Sequence, residues 1–134
     1  MTIAKSADTV DLGEATGVVE AVGAGVERFR SGDEVFGLTG GGGYADYVTV
    51  NADGPLALKP EGLTHGEAAA LPFGGHTALH FLRKGGIQKG ERVAIYGASG
   101  DVGTAAVQLA KHFGATVTAV CSSRNMERVR SLGA

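Results

Sequence analysis

The feature that most constrains this chain is the turn Gly97-Ala98-Ser99-Gly100-Asp101-Val102-Gly103, set between an apolar run and a helical stripe. Val93, Ala94, Ile95 and Tyr96 precede it and read as a short buried strand. Val102, Ala105, Ala106, Leu109, Ala110 and Phe113 follow at helical spacing, which places them on one face. Residues 116–121 are again β-branched and apolar. Strand, turn, helix, strand predicts a βαβ unit, because parallel neighbours need a crossover and the helix supplies it. Gly100 and Gly103 have the spacing of the last two glycines of a dinucleotide fingerprint, with Ala98 in place of the first. Such a turn gives pyrophosphate room against the backbone and directs the free amides of the helix start at it. Asp101 has the wrong sign for that seat. The alternative is a glycine-rich structural turn. A P-loop is excluded, since Thr104 rather than Lys follows Gly103.

The cofactor is read from the end of the second strand, where an acidic residue would bind an unphosphorylated ribose. The residues there are Cys121-Ser122-Ser123-Arg124-Asn125, and no carboxylate stands between Asp101 and Glu127. Two hydroxyls and a guanidinium suit a 2′-phosphate through charge-assisted bonds, so NADPH is favoured over NADH. Ser99, Gly100, Val102 and Gly103 are the candidates for pyrophosphate, and Ser122, Ser123 and Arg124 for the 2′-phosphate. The competing reading makes Ser122 or Ser123 a helix cap and Arg124 a solvated charge.

The first half reads as β structure. Val18, Val19, Ala21 and Val22 form one run, Val35 and Phe36 a second, and residues 44–50 alternate as a half-buried strand does. Glycine is 23 of 134 residues, and four of them, residues 40–43, predict a mobile loop. Thr64 with Glu67 makes a capping box in front of residues 68–71. A second helix starts at Pro72 and carries Phe73, Thr77, His80 and Phe81 until Gly85 and Gly86 stop it. A last helix runs from about Arg124 to Leu132, and the chain stops where a third parallel strand is expected. The expected domains are residues 1–71, a β domain, and residues 72–134, a linking helix with half of a nucleotide fold.

Twelve basic against 14 acidic residues give a net charge of −2, which provides no field for nucleic acid. No apolar run reaches the roughly 18 residues of a membrane span, and the start of the chain lacks a secretory signature, so a cytoplasmic protein is expected. The single cysteine, Cys121, excludes a disulfide framework and reads as a small buried residue. His65, His76, His80 and His112 have no cysteine or carboxylate at ligand spacing, so no metal site is expected and they read as structural or solvated.

These motifs resemble the medium-chain dehydrogenase/reductases, and within them the zinc-independent quinone oxidoreductase branch related to zeta-crystallin. The resemblance covers residues 12–134. The run from Gly90-Glu91 through Ala98-Ser99-Gly100, Gly103 and Gln108 to Lys111 is similar to the quinone oxidoreductase signature, with Ala94 in place of Leu and Asp101 in place of a second Gly. Val22-Gly23-Ala24-Gly25-Val26, Gly32-Asp33-Glu34-Val35-Phe36-Gly37 and Gly43-Tyr44-Ala45-Asp46-Tyr47 are similar to the family's GroES-like catalytic domain. Pro72-Phe73-Gly74-Gly75-His76-Thr77-Ala78-Leu79 resembles the linking helix, whose threonine, here Thr77, lies near the nicotinamide. Zinc-dependent relatives have a Gly-His-Glu run; here Gly13 is followed directly by Glu14, which disfavours catalytic zinc.

The resemblance implies an α/β chain: a partial GroES-like β domain, then an incomplete Rossmann half, truncated at both ends. The implied activity is hydride transfer from NADPH to a quinone or enone, absent from the chain alone, with no evident general acid and its catalytic residues unknown. Two alternatives stay open: a non-catalytic nucleotide-binding or partner-binding remnant, and a GroES-like interaction module using residues 40–43. Unpaired strand edges predict self-association into a homo-oligomer.

Overall fold

Period-two burial builds the first half into an antiparallel sheet. The computed structural model describes residues 1–5, 13–43 and 45–134. Two compact units divide the chain, Met1–Pro72 and Phe73–Ala134.

In the first unit the strands are β1 (Thr2–Lys5), β2 (Glu14–Ala21), β3 (Glu34–Leu38), β4 (Tyr47–Thr49) and β5 (Leu56–Leu58), in spatial order β4-β1-β2-β3-β5. All neighbours are antiparallel. Ile3 of β1 stands opposite Val19 of β2 and Val48 of β4, and these three with Phe29, Val35, Ala52 and Leu56 form the core. Burying one such valine or isoleucine contributes about 1.5–3 kcal/mol. The expected alternation beginning at Tyr44 starts outside the described residues; within them it becomes the short β4. At the start of β2 alternation fails: Glu14, Ala15, Thr16 and Gly17 are all buried. Helix α1 (His65–Ala69) packs on β2 and β3 and buries Ala68 and Ala69. Arg28 staples the segment before β5: Nη1 donates to the carbonyls of Ala52 and Gly54, each at 3.3 Å, and Nη2 donates to that of Leu56. Its guanidinium lies 4.9 Å from the Phe29 ring centroid.

The second unit carries helix α2 (Pro72–Lys84), β6 (Arg92–Tyr96), α3 (Asp101–His112), β7 (Thr116–Val120), a 3-10 turn (Ser123–Asn125) and α4 (Met126–Ser131). Proline at the first position of α2 costs nothing, since that amide has no intrahelical partner. Arg83 and Lys84 complement the helix dipole in its last turn. Strands β6 and β7 are parallel, in register from Arg92 opposite Thr116 to Tyr96 opposite Val120. Helix α3 lays Val107 and Ala110 onto both strands, and Ile95, Ala98, Ala115, Val117 and Val129 complete the core. Cys121 is half-buried and packs against this core. Tyr96 ends β6 with 90% of its surface exposed. No helix among the described residues is long and apolar enough to cross a membrane.

Candidate functional site

The chain leaves β6 at Gly97, whose φ of +73° is a left-handed conformation that glycine adopts without strain. The amides of Gly97 and Ala98 donate to the Val120 carbonyl at 3.0 and 3.1 Å, which fastens the turn to the end of β7. The Gly100 amide then donates to the Gly97 carbonyl at 3.0 Å, and Gly100 becomes the N-cap of α3 with no side chain to offer. A Cβ on Gly103 would strike the Gly97 oxygen and come within 2.8 Å of Ala98 Cα and 2.9 Å of Ala98 C. Only glycine lets α3 press against the turn this closely. The first amides of α3 have no side-chain cap, at the positive end of a 12-residue helix. That cradle suits an anion.

Across the strand ends, one amide joins the two predicted clusters. Asn125 Nδ2 donates to Ser99 Oγ at 2.9 Å and to Ser122 Oγ at 3.2 Å. Ser122 precedes the 3-10 turn and Asn125 precedes α4, yet neither side chain caps its helix. The structure thus gathers Ser99, Gly100, Val102, Gly103 and Ser122 at the carboxyl ends of β6 and β7, where open α/β sheets bind ligands. Ser123 and Arg124 are exposed in the adjoining 3-10 turn. Thr77 stands half-buried on α2, one helical turn beyond Gly74. Asn125 was not among the sequence candidates, because the expected last helix from about Arg124 placed it inside a helical run; the structure starts α4 at Met126 instead.

Asp101 is placed differently from the sequence expectation of a charge at the pyrophosphate seat. A Cβ on Gly74 would strike its Oδ1, with Cγ at 2.7 Å and Oδ2 at 2.8 Å, so the carboxylate lies over the first turn of α2. No acidic residue of α2 itself occupies that turn. The charge meets the positive end of a second helix.

The first unit holds a different polar array. Thr16 Oγ1, fully buried, donates to the Val35 carbonyl at 3.1 Å and lies 2.7 Å from His65 Nδ1. His65 Nε2 is 3.2 Å from Glu34 Oε1, and Lys59 Nζ is 3.2 Å from Glu34 Oε2. Lys59 also donates to the Leu63 carbonyl at 2.6 Å. The Lys59 hydrogen bond, with the charges of Lys59 and His65, holds the Glu34 carboxyl below its ordinary value despite partial desolvation. With its hydroxyl inaccessible, this chain binds α1 to β2 and β3 rather than a ligand. His65, one of the four histidines read as structural or solvated, is thereby structural. The Thr64–Glu67 capping box is complete: the Glu67 amide donates to Thr64 Oγ1 at 3.2 Å and the Thr64 amide to Glu67 Oε2 at 2.9 Å. Those bonds from the Thr64 amide and hydroxyl hold the Glu67 carboxyl below its ordinary value. No group of three or more His, Cys, Asp or Glu side chains suited to a metal occurs among the described residues.

In chain order, an antiparallel β unit is followed by a βαβ unit with a glycine turn between its first strand and its helix. Residues 4–61 match the alcohol dehydrogenase GroES-like domain. Over 129 residues the chain is 43% identical to the mitochondrial NAD(P)H oxidoreductase RTN4IP1 of Mus musculus, covering 90% of the chain and 32% of that protein. It is 41% identical to a 2-methylene-furan-3-one reductase of Solanum lycopersicum, covering 94% of the chain and 35% of the relative. The quinone oxidoreductase structure from Coxiella burnetii superposes with a TM-score of 0.82 at 37% identity, over 90% of this chain and 39% of that one. The chain's homologues and structural neighbours are quinone oxidoreductases and enoyl reductases of the medium-chain dehydrogenase/reductase superfamily. The chain spans about a third of the length of these relatives, which are oxidoreductases, the first of them named for a nicotinamide cofactor.

Proposed function

We propose that these residues form the phosphate-binding part of an NADPH-dependent reductase that delivers hydride to a quinone or an enone. The observation carrying this reading is the cradle at Gly97, Gly100 and Gly103, open at an uncapped helix start and joined to Ser122 through Asn125. The residues fit the cofactor's phosphates: no atom lies within 4 Å of where a Cβ on Gly97 would stand, and the donors are amides and hydroxyls. The nicotinamide, when bound, supplies the redox chemistry. The chain's own part is to hold and orient. Amides at the start of α3 and Ser99 take the pyrophosphate, Ser122, Ser123 and Arg124 take the 2′-phosphate, and Thr77 on α2 faces the nicotinamide side. The names of the similar proteins support a quinone or enone as acceptor.

Arg124→Ala tests the assignment. The wild-type chain is expected to bind 2′-phospho-ADP-ribose more tightly than ADP-ribose in calorimetry. The variant should lose several-fold of that preference, an exposed charge-assisted bond being worth less than the roughly 1.5–3 kcal/mol of a shielded one. Equal affinities in both proteins would return Arg124 to solvent.

A non-catalytic nucleotide-binding or partner-binding role is the second reading, favoured by the parallel sheet of only two strands among the described residues. Both readings share one expectation for the 134-residue chain assayed alone. NADPH oxidation with a quinone should not exceed background, and steady turnover would refute that expectation. Sedimentation should show concentration-dependent self-association through the open edges of β6 and β7, and a clean monomer at high concentration would refute that.

A further inference from the structure

We infer that Asn125 is the positioning residue that makes Ser99 and Ser122 hydrogen-bond donors toward a phosphate, and so sets the preference for a 2′-phosphorylated ligand. The inference rests on the reading of this site as a dinucleotide seat. An amide nitrogen has two protons and no lone pair to offer. Nδ2 directs one proton to Ser99 Oγ at 2.9 Å and the other to Ser122 Oγ at 3.2 Å, so both are committed. Each serine accepts there and keeps its own O–H proton. Among the described residues neither hydroxyl donates to a protein oxygen, although Ser122 is exposed and Ser99 is half-buried.

Asparagine is among the best N-caps, and Asn125 stands at the N-cap of α4 without capping it. Its side chain is instead spent on two serines that belong to different loops. The result is a seat bridging the two strand ends and biased toward donation: each hydroxyl has one lone pair occupied and its proton unspent, and beside them lies the exposed Arg124. A ribose 2′-hydroxyl is best recognised by an acceptor such as a carboxylate, whereas phosphate oxygens at neutral pH are acceptors. Donor polarity therefore discriminates by the charge and protonation of the ligand, beyond what Arg124 contributes.

Asn125→Asp is the decisive change, because it keeps the size of the side chain and the bridge but reverses its direction. The serines would then donate to the carboxylate and have no proton left for the ligand. In calorimetry, affinity for 2′-phospho-ADP-ribose, which loses both serine donors, should fall about tenfold or more, while ADP-ribose, which loses only the Ser99 donor to its pyrophosphate, should fall by a several-fold smaller factor. The melting temperature should be nearly unchanged. Added negative charge alone would weaken binding equally with or without the hydroxyls. In a Ser99→Ala/Ser122→Ala background the further loss from Asn125→Asp should accordingly shrink to a few-fold. In the ligand-free protein, Ser99→Ala and Ser122→Ala should each shift one proton of the Asn125 side-chain amide in a nitrogen–proton correlation spectrum. An Asn125→Asp protein that keeps the wild-type ratio of the two affinities, or an amide blind to both serine substitutions, overturns the inference and leaves the dinucleotide seat standing. Absence of binding of either ligand to the wild-type chain overturns the seat itself and the inference with it.

Discussion

The two units attach a helix to a sheet in opposite ways. In the first, α1 is held by polar side chains: Thr16, His65, Glu34 and Lys59 form a continuous chain of contacts, and Thr64 with Glu67 closes the helix start. In the second, α3 is held by the removal of side chains: Gly103 and Ala98 let it press onto the turn, and Gly100 leaves its start uncapped. The polar junction commits its donors and acceptors to one another and to the backbone. The stripped junction is secured by close approach, apolar packing and backbone hydrogen bonds within the turn, and the start of α3 has no side-chain cap. The junction without a side-chain cap is the one proposed above as the phosphate seat.

If that contrast is right, the stripped junction should be the more fragile to added volume. Gly103→Val is expected to have the largest effect, since even one carbon meets the Gly97 oxygen and the Ala98 backbone. Overpacking costs about 1–3 kcal/mol where side chains can yield, and backbone cannot. Gly103→Val should therefore melt the second unit or lower its stability by about 3 kcal/mol or more, read by circular dichroism in urea. A Gly103→Val chain with an unchanged midpoint would mean that α3 does not rest on the turn.

The polar junction should instead be sensitive to lost partners and to acid. Thr16→Val removes the hydroxyl between the Val35 carbonyl and His65 Nδ1, at an expected cost of about 1–3 kcal/mol because the site is buried. Glu34 titrates below its ordinary value of 4.5 in the folded chain, so its contribution is complete above that pH and is lost as pH falls through the folded value. Glu34→Gln should flatten the acid limb of the stability profile below about pH 4.5 and leave Gly103-dependent stability untouched. An unchanged acid limb would remove Glu34 from the junction.

Much of the second unit was legible because its signals are local. The strand ends, the helical stripe and the glycine spacing each lie within a short window, and β6, α3 and β7 stand where the pattern of Val93, Val102 and Thr116 placed them. The sheet of the first unit was legible only in part. β1 and β5, four and three residues long, are too short to announce themselves, and they exist because Ile3 finds Val19 and Val48, and Leu56 finds Gly37, across long sequence separations. The site was legible to the same extent. Ser99 and Ser122 were visible as residue types in the right loops, whereas their shared partner Asn125 has no sequence signature of its own. Asp101 was visible as a charge, and its direction was not, because the side that receives it belongs to α2.

The smallest expected effect concerns that charge, and it decides whether the cradle is as free as the contrast requires. A carboxylate about 5 Å from a pyrophosphate at an effective dielectric near 20 would repel it by roughly 3 kcal/mol before screening. Lying over Gly74, the Asp101 carboxylate instead interacts with the positive ends of α2 and of its own helix, each worth about 0.3–1 kcal/mol. Asp101→Asn should accordingly lower the midpoint by an amount near 1 kcal/mol while changing NADPH affinity at low salt by less than about threefold. Gly74→Ala should displace the carboxylate and cost a comparable amount, but in an Asp101→Ala background the added methyl has nothing to displace. The two substitutions should therefore be non-additive by about 0.5 kcal/mol or more in a double-mutant cycle. Additive costs would separate Gly74 from Asp101. A tenfold gain in NADPH affinity for Asp101→Asn would put the charge back at the phosphates, and the stripped junction would then carry its own inhibitor of binding.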